Sequence, residues 1–450
     1  MSKKVTSEVR HDTTANGVRA MKPPVRLTLI KQPVRLTALL LAALLTLLCA
    51  GCSAAGAEQL YALPRLTGEY VQLEELIDGY ISGGGEYAAP QGGAHRQAVQ
   101  LRDLDGDGVS EAVAFLADSA HTPVVCVYRL GEAGDYELSG SIEGAGSAIG
   151  SVEYADLTGD GAEELVLLWQ LSGDVRLLAV YAIRDAGVTQ LLSADCSSFF
   201  VSDLNGDGDG ELLDLTLDGA SGTLTRYVFD SRGKAESTAA SLSDGVTDVL
   251  RARVGYLSDG ALALFVESTW QDGELITDVF TAGSGGLANI TLGAGGRSGT
   301  LRAAGAFAAD INADRVMELP EASGALLNWY SLDSLGRRTL ALTTYHDYDD
   351  GWYLALPDAF LNGTLRVTTE DALPGETETT FSLAGEDILT IYTLTGENRL
   401  DRAAEDGRVL LAESGATVYA AAITASDAVT AADLAAGFRL IYAEWQTGDL

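Results

Sequence analysis

One nine-residue pattern, met four times between residues 103 and 318, constrains this chain more than any other feature. Asp103 opens Asp-Leu-Asp-Gly-Asp-Gly-Val-Ser-Glu, and Asp156 opens Asp-Leu-Thr-Gly-Asp-Gly-Ala-Glu-Glu. Asp203 opens Asp-Leu-Asn-Gly-Asp-Gly-Asp-Gly-Glu, and Asp310 opens Asp-Ile-Asn-Ala-Asp-Arg-Val-Met-Glu. A worn copy stands at Tyr256, followed by Leu257, Ser258, Asp259 and Gly260. The five starts lie 53, 47, 53 and 54 residues apart. Apolar runs such as 112–116 and 165–169 follow the loops, and the first interval holds further strand-like runs at 124–128, 136–142 and 149–154. Four strands per repeat, joined by Gly-rich turns, is the content of one propeller blade.

The fold expected is mainly β. Residues 61–345 are read as a β-propeller of about five blades, with up to seven allowed. The run 98–102 has no blade of its own and is expected to pair with the last blade, closing the ring and removing exposed strand edges. Residues 61–96 are the source of any further blade. The loop pattern stops after Glu318. Strand-like runs then appear at 352–356, 365–369, 377–383, 388–394, 409–413 and 418–423. Thr430 opens a helix with Asp433 as its capping-box partner. Leu434, Phe438, Ile441 and Trp445 recur on one apolar face of that helix. Residues 346–450 are therefore expected to form a small α+β domain, entered through the turn 347–351.

The loops carry chemistry as well as shape. Acids at positions one, three and five converge when the chain turns sharply, and Gly at position six permits the turn. Position seven offers a carbonyl, and the acid at nine closes the shell. Calcium takes about six to eight oxygens at ~2.3–2.6 Å. The candidate ligands are Asp103, Asp105, Asp107, Val109 (through its carbonyl) and Glu111 in the first loop. In the second they are Asp156, Thr158, Asp160 and Glu164, and in the third Asp203, Asn205, Asp207 and Glu211. Asp310, Asn312, Asp314 and Glu318 keep the set in the last loop, but Ala313 and Arg315 replace both glycines. That loop is expected to bind weakly or only to mimic the shape. The copy at Tyr256 lacks its first ligand and is expected to be metal-free. An EF-hand shares the opening spacing but needs flanking helices and a closing Glu at position twelve. Here the acid is at nine and a strand follows. Asp-Gly turns that bind nothing are the competing reading, and three well-formed loops weigh against it.

These loops and the strands after them resemble the FG-GAP and VCBS repeats of integrin-alpha-like propellers, over about residues 97–320. The resemblance implies structural calcium in the loop before the first strand of each blade, and proteins that mostly bind or assemble. The wider chain also resembles Firmicutes lipoproteins that carry VCBS repeats.

Lys22, Arg26, Lys31 and Arg35 precede an apolar run at 36–50. That length suits a signal-peptide core and is short for a membrane span. The run leads into Cys49-Ala50-Gly51-Cys52. Small residues before Cys resemble a bacterial lipobox, with Cys49 standing where that motif usually has Leu. The resemblance implies a signal peptide at 1–51, a lipidated Cys52 and a linker at 52–60. The body is then anchored at the extracytoplasmic face of the bacterial membrane. Met21 is an alternative start of the leader. Nothing in the spacing of Cys126 and Cys196 requires a disulfide, and buried thiols are expected.

The net charge is −35, while the first 51 residues hold eight Lys or Arg and two Asp or Glu. The acid is therefore concentrated in the body. That argues against nucleic acid, whose phosphates need clustered Lys and Arg. His95, His121 and His346 are scattered, with no zinc spacing. Neither a nucleophile elbow nor a phosphate loop is present. Trp169, Trp270, Trp329, Trp352 and Trp445 lie mostly in apolar runs, where packing outweighs a sugar platform. The reading is a cell-surface binding or assembly module, non-catalytic, with a protein or glycan partner. The alternative is an extracytoplasmic hydrolase or lyase of envelope polysaccharide, because active sites can assemble from distant loops on such a scaffold.

Overall fold

The computed structural model describes residues 68–441, apart from 132, 185, 186, 220, 284, 303, 304, 406, 426 and 427. The leader, Cys52, the linker and Trp445 lie outside the described residues. The chain is mainly β, in antiparallel sheets of four or five strands. Helix α1 (Gly68–Ser82) comes first. The first sheet then holds β1 (Glu86–Tyr87), β2 (Val99–Arg102), β3 (Glu111–Ala117), β4 (Pro123–Leu130) and β5 (Tyr136–Glu143). The second is the meander β6 (Ala148–Ala155), β7 (Glu164–Ser172), β8 (Val175–Arg184) and β9 (Gly187–Asp195). The third is β10 (Ser198–Ser202), β11 (Glu211–Asp218), β12 (Ser221–Phe229) and β13 (Ala235–Ser241).

The fourth sheet runs β14 (Asp248–Tyr256), β15 (Leu262–Thr269), β16 (Leu275–Gly283) and β17 (Gly286–Asn289), with β18 (Leu301–Arg302) also on β16. The fifth is β19 (Glu318–Ser323), β20 (Leu326–Leu332), β21 (Arg338–Asp347) and β22 (Trp352–Ala355). After the short helix α2 (Asp358–Leu361) comes the tail sheet. It contains β23 (Leu365–Leu373), β24 (Glu376–Leu383), β25 (Glu386–Leu394), β26 (Arg408–Ser414) and β27 (Thr417–Ile423), with α3 (Arg399–Ala403) between β25 and β26.

The strand that follows the loop in each sheet explains the stacking. All seven residues of β3 are buried, as are the first six of β7. Such strands lack the usual polar alternation because both faces are covered, and successive side chains go to opposite faces. Val113 and Phe115 share a core with Leu165, Leu167 and Trp169 of the second sheet. The intervening Val166 and Leu168 pack with Leu212 of the third. Leu213 and Leu215 then meet Leu264 and Val266 of the fourth. Ala263 and Phe265 meet Leu319 of the fifth. The sheets are therefore layers in chain order, each sharing a core with the next.

The ends of this stack differ from expectation. Strand β2 pairs with β3, from Val99 with Ala114 to Arg102 with Glu111, so the run 98–102 belongs to the first sheet and closes no ring. The other face of that sheet, Ala112, Ala114 and Leu116, is covered by Leu73 and Ile77 of α1. Residues from 68 to 96 thus supply a helical cover and an edge strand rather than another blade. Among the described residues no strand of the first sheet pairs with the fifth, and no sheet closes on itself.

At the other end, the expected boundary at residue 346 falls inside β21. Strand β22, read from sequence as the start of the tail, is the fourth strand of the fifth sheet. Thr430 and Asp433 do form a capping box, opening α4 (Ala431–Gly437). The helix is shorter than its apolar spacing predicts. Phe438 begins β28 (Phe438–Leu440), which pairs with β22 and so extends the fifth sheet. Trp352, Leu354 and Phe438 share one core with Phe381, Leu389 and Ile391 of the tail sheet.

Candidate metal centre

The first three nine-residue loops each join two paired strands of one sheet, β2 to β3, β6 to β7 and β10 to β11, so a strand precedes each, whereas the loop from Asp310 leads into β19, the first strand of the fifth sheet. The second residue of each loop anchors it: Leu104, Leu157, Leu204 and Ile311 are all buried. The backbone N–H of that residue donates to the closing Glu, which opens the next strand and turns back under the loop. The distances are 2.8 Å from Leu104 to Glu111, 2.9 Å from Leu157 to Glu164, 2.6 Å from Leu204 to Glu211 and 3.2 Å from Ile311 to Glu318. All four glutamates are buried.

The first Asp accepts from the turn above it. Asp103 takes the N–H of Gly106 at 2.9 Å and of Gly108 at 3.0 Å. Asp156 takes Asp160 and Gly161, Asp203 takes Gly206, Asp207 and Gly208, and Asp310 takes Asp314 and Arg315. The fifth residue accepts from the seventh, as in Asp107 with Val109 at 2.7 Å, Asp160 with Ala162 at 3.0 Å, Asp207 with Asp209 at 3.0 Å and Asp314 with Val316 at 2.8 Å. Positions one, five and nine thus satisfy backbone N–H groups that the sharp turn leaves without partners. This part of the motif works without an ion.

The loops diverge in where their acids go. In the first, Asp103, Asp105 and Glu111 each bring one carboxylate oxygen within 4.8 Å of the others. In the third, Asp203, Asp207 and Glu211 do the same, while the Asn205 amide donates to Asp207 at 2.7 Å. Among the described residues the second and fifth loops gather no such set. Burial pushes the pKa of Glu111 up, the Leu104 N–H draws it back, and Asp105 and Asp107 push it up further. Concentrated negative charge of this kind favours a bound cation, and an all-oxygen donor set is the kind calcium takes. The first loop fits the ion best. In the third, Arg226 of β12 reaches the Oε1 of Glu211, the oxygen that Leu204 does not use. The register position of Arg226, opposite Leu213, is Val127 opposite Val113 in the first sheet.

In the second loop Arg184, at the end of β8, reaches both oxygens of Asp160 at 3.0 Å and Glu164 Oε1 at 2.6 Å. Against the upward pull of burial, it holds Asp160 below the usual carboxylate range. In the fifth loop burial pushes Glu318 up to about 7, and its Oε1 is buried without a hydrogen-bond partner. Ala313 and Arg315 hold φ of 63° and 77°, near the 75° and 87° of Gly106 and Gly108. The fifth loop therefore copies the backbone path while leaving its acids apart. The worn copy is a tight turn in which Leu257 donates to Ala261, and Asp259 accepts from Ser334.

Arg184 and Arg226 are the site residues that sequence reading misses. Arg226 is the one charged residue of β12 and Arg184 closes β8, which also holds Arg176; they stand 23 and 28 residues after their loops begin. Away from the loops, His95 lies 3.3 Å from Glu153, His121 lies 2.6 Å from Glu86, and His346 is packed among Trp329, Tyr348 and Tyr353. Trp169, Trp329 and Trp352 are buried in cores. Cys126 and Cys196 are free and buried. A groove of about 750 Å³ runs along the first strands of the second, third and fourth sheets, with Arg96, Arg176, Phe199, Phe200 and Asp248 among its walls. No acid of the calcium-type loops lines it. Compared with protein-family models and with curated proteins, the chain matches none.

Proposed function

We propose that this chain is a lipid-anchored, extracytoplasmic binding or assembly module whose five meander sheets are the blades of a propeller-type stack. Calcium in the first and third loops stiffens the joints between their strands. The observation that supports this reading is the gathering of Asp103, Asp105 and Glu111, and of Asp203, Asp207 and Glu211, at strand joints away from the groove. An ion held there between the loop aspartates and the buried closing Glu ties a strand to the strand before it. A catalytic ion needs an open position facing substrate. The groove, with aromatic and arginine side chains among its walls, is the surface offered to a protein or glycan partner. The test is capture of envelope components on the purified, calcium-loaded protein, with and without chelator. We expect a partner retained in calcium and lost from Arg176→Ala, whose substitution alters the groove and leaves the loops intact. Turnover of an envelope polysaccharide by the same protein, abolished by Arg176→Ala without unfolding, overturns the non-catalytic reading.

A further inference from the structure

We infer that the second loop is filled from within: the Arg184 guanidinium takes the place of an ion, so this loop stays metal-free while the first loop loads. The inference rests on the calcium reading of the first loop only for that contrast. Arg184 Nη2 lies 3.0 Å from both oxygens of Asp160 and 2.6 Å from Glu164 Oε1. Its Nη1 donates to the carbonyl of Leu104 at 2.9 Å and to that of Ile183 at 2.9 Å. Two of the acids that would have to ligate an ion, at positions five and nine, are thus already engaged by one planar donor group. Glu164 is fully buried, with Oε2 taken by the N–H groups of Leu157 and Thr158. A guanidinium carries donors only and does not deprotonate, so where it spans the acids at positions five and nine together it excludes a divalent cation; Arg226 in the third loop bonds Glu211 alone, and the acids there still gather.

A second feature points the same way. Position three is Asp105 in the first loop and Thr158 in the second. The Thr158 hydroxyl lies 3.3 Å from Glu164 Oε1 and donates to it. At positions one, three, five and nine the second loop therefore has one carboxylate fewer than the first, and it has one fixed cation more, and its acids do not gather as those of the first do. Arg184 also fastens the two loops together, since Leu104 sits between Asp103 and Asp105. Neighbouring joints of the stack then differ in kind, one held by a solution ion and one by a residue of the chain.

Native mass spectrometry of the whole protein counts bound calcium, and melting in chelator and in calcium reads the consequence. Arg184→Met should bind one more ion than the wild type. It should melt lower than the wild type in chelator and gain more from calcium than the wild type does. Asp160→Ala added to Arg184→Met should remove the extra ion, and Arg184→Lys should keep the wild-type count. An unchanged count in Arg184→Met at saturating calcium overturns the inference. If Arg184→Met folds only when calcium is added, the inference is supported. If it stays unfolded in saturating calcium while Arg184→Lys folds, the inference falls. A wild type without ions beside an Arg184→Met protein with one leaves this inference standing and removes the calcium reading of the first loop.

Discussion

The first and fifth loops follow the same backbone path for different reasons. In the first, Gly106 and Gly108 take positive φ at no steric cost, and the carboxylates of Asp103, Asp105 and Glu111 converge. In the fifth, Ala313 and Arg315 are held in the same left-handed region, and Glu318 keeps one oxygen buried without a partner. Both loops satisfy their turn through the first Asp, the fifth Asp and the closing Glu. Motif identity therefore divides into two parts. The acids that hold the backbone survive in both loops, and the arrangement that would hold an ion survives in one.

Asp103→Ala against Asp310→Ala separates these parts most widely. Asp103→Ala should lose one calcium and with it the mass-action stabilisation, ~2.7 kcal/mol at calcium 100-fold above its dissociation constant. It should also lose ~1–3 kcal/mol, the net worth of two hydrogen bonds to a charged acceptor, as the exposed N–H groups of Gly106 and Gly108 turn to water. Asp310→Ala should lose only the second contribution, from the N–H groups of Asp314 and Arg315, equally in calcium and in chelator. Urea unfolding of both variants under both conditions checks this. A calcium-dependent loss in Asp310→Ala, or none in Asp103→Ala, breaks the comparison.

What was legible in the sequence is local. The loop's Asp-Leu-x-Gly-Asp-Gly order dictates a turn, and the apolar runs after it dictate buried strands, because glycine conformation and period-two alternation act over a few residues. The strands of the tail sheet were legible for the same reason. Arg184 was not, because only the pairing of β7 with β8 carries its side chain beneath a loop that begins 28 residues earlier. The end of α4 was not, because Phe438 suits a helix face and a strand alike, and the edge of β22 decides between them. Ring closure by the run 98–102 failed on similar grounds. The run's nearest partner is the strand across its own loop, and the closure entropy of that short loop is small.

A smaller separation should appear with pH. Glu318 has its folded pKa raised from 4.5 to about 7 by burial, so the folded state holds a proton that the unfolded chain releases. Its contribution to stability is full below about 4.5 and is lost as pH rises through about 7. Glu318→Gln should remove that slope, in calcium and in chelator alike. Glu111 is also raised, by burial first. Its slope should appear in chelator and vanish in calcium, because an ion favours its charged form. Melting temperatures between pH 4.5 and 7.5 for the wild type, Glu318→Gln and Glu111→Gln check this. A Glu318 slope that calcium abolishes places an ion in the fifth loop.

The smallest expected effect comes from exchanging the turn residues. A non-glycine residue in the left-handed region costs ~1–2 kcal/mol, and glycine gives back ~0.5–1 kcal/mol through the freedom it gains on unfolding. Ala313→Gly with Arg315→Gly should therefore stabilise the protein by ~1 kcal/mol in total, with no change in calcium count, since the acids of the fifth loop stay where Glu318 and Asp314 hold them. The reverse exchange in the first loop should be worse than neutral. A Cβ on Gly106 would meet the carbonyl oxygen of Gly161 at 3.3 Å and the side chain of Ala162 at 3.4 Å, so Gly106→Ala adds crowding against the second loop to its backbone strain. It should destabilise by ~1–2 kcal/mol and weaken calcium binding, because Asp103 accepts from Gly106 itself. Gains in calcium count from the glycine pair in the fifth loop would show that strain, rather than the placement of its acids, keeps that loop from binding.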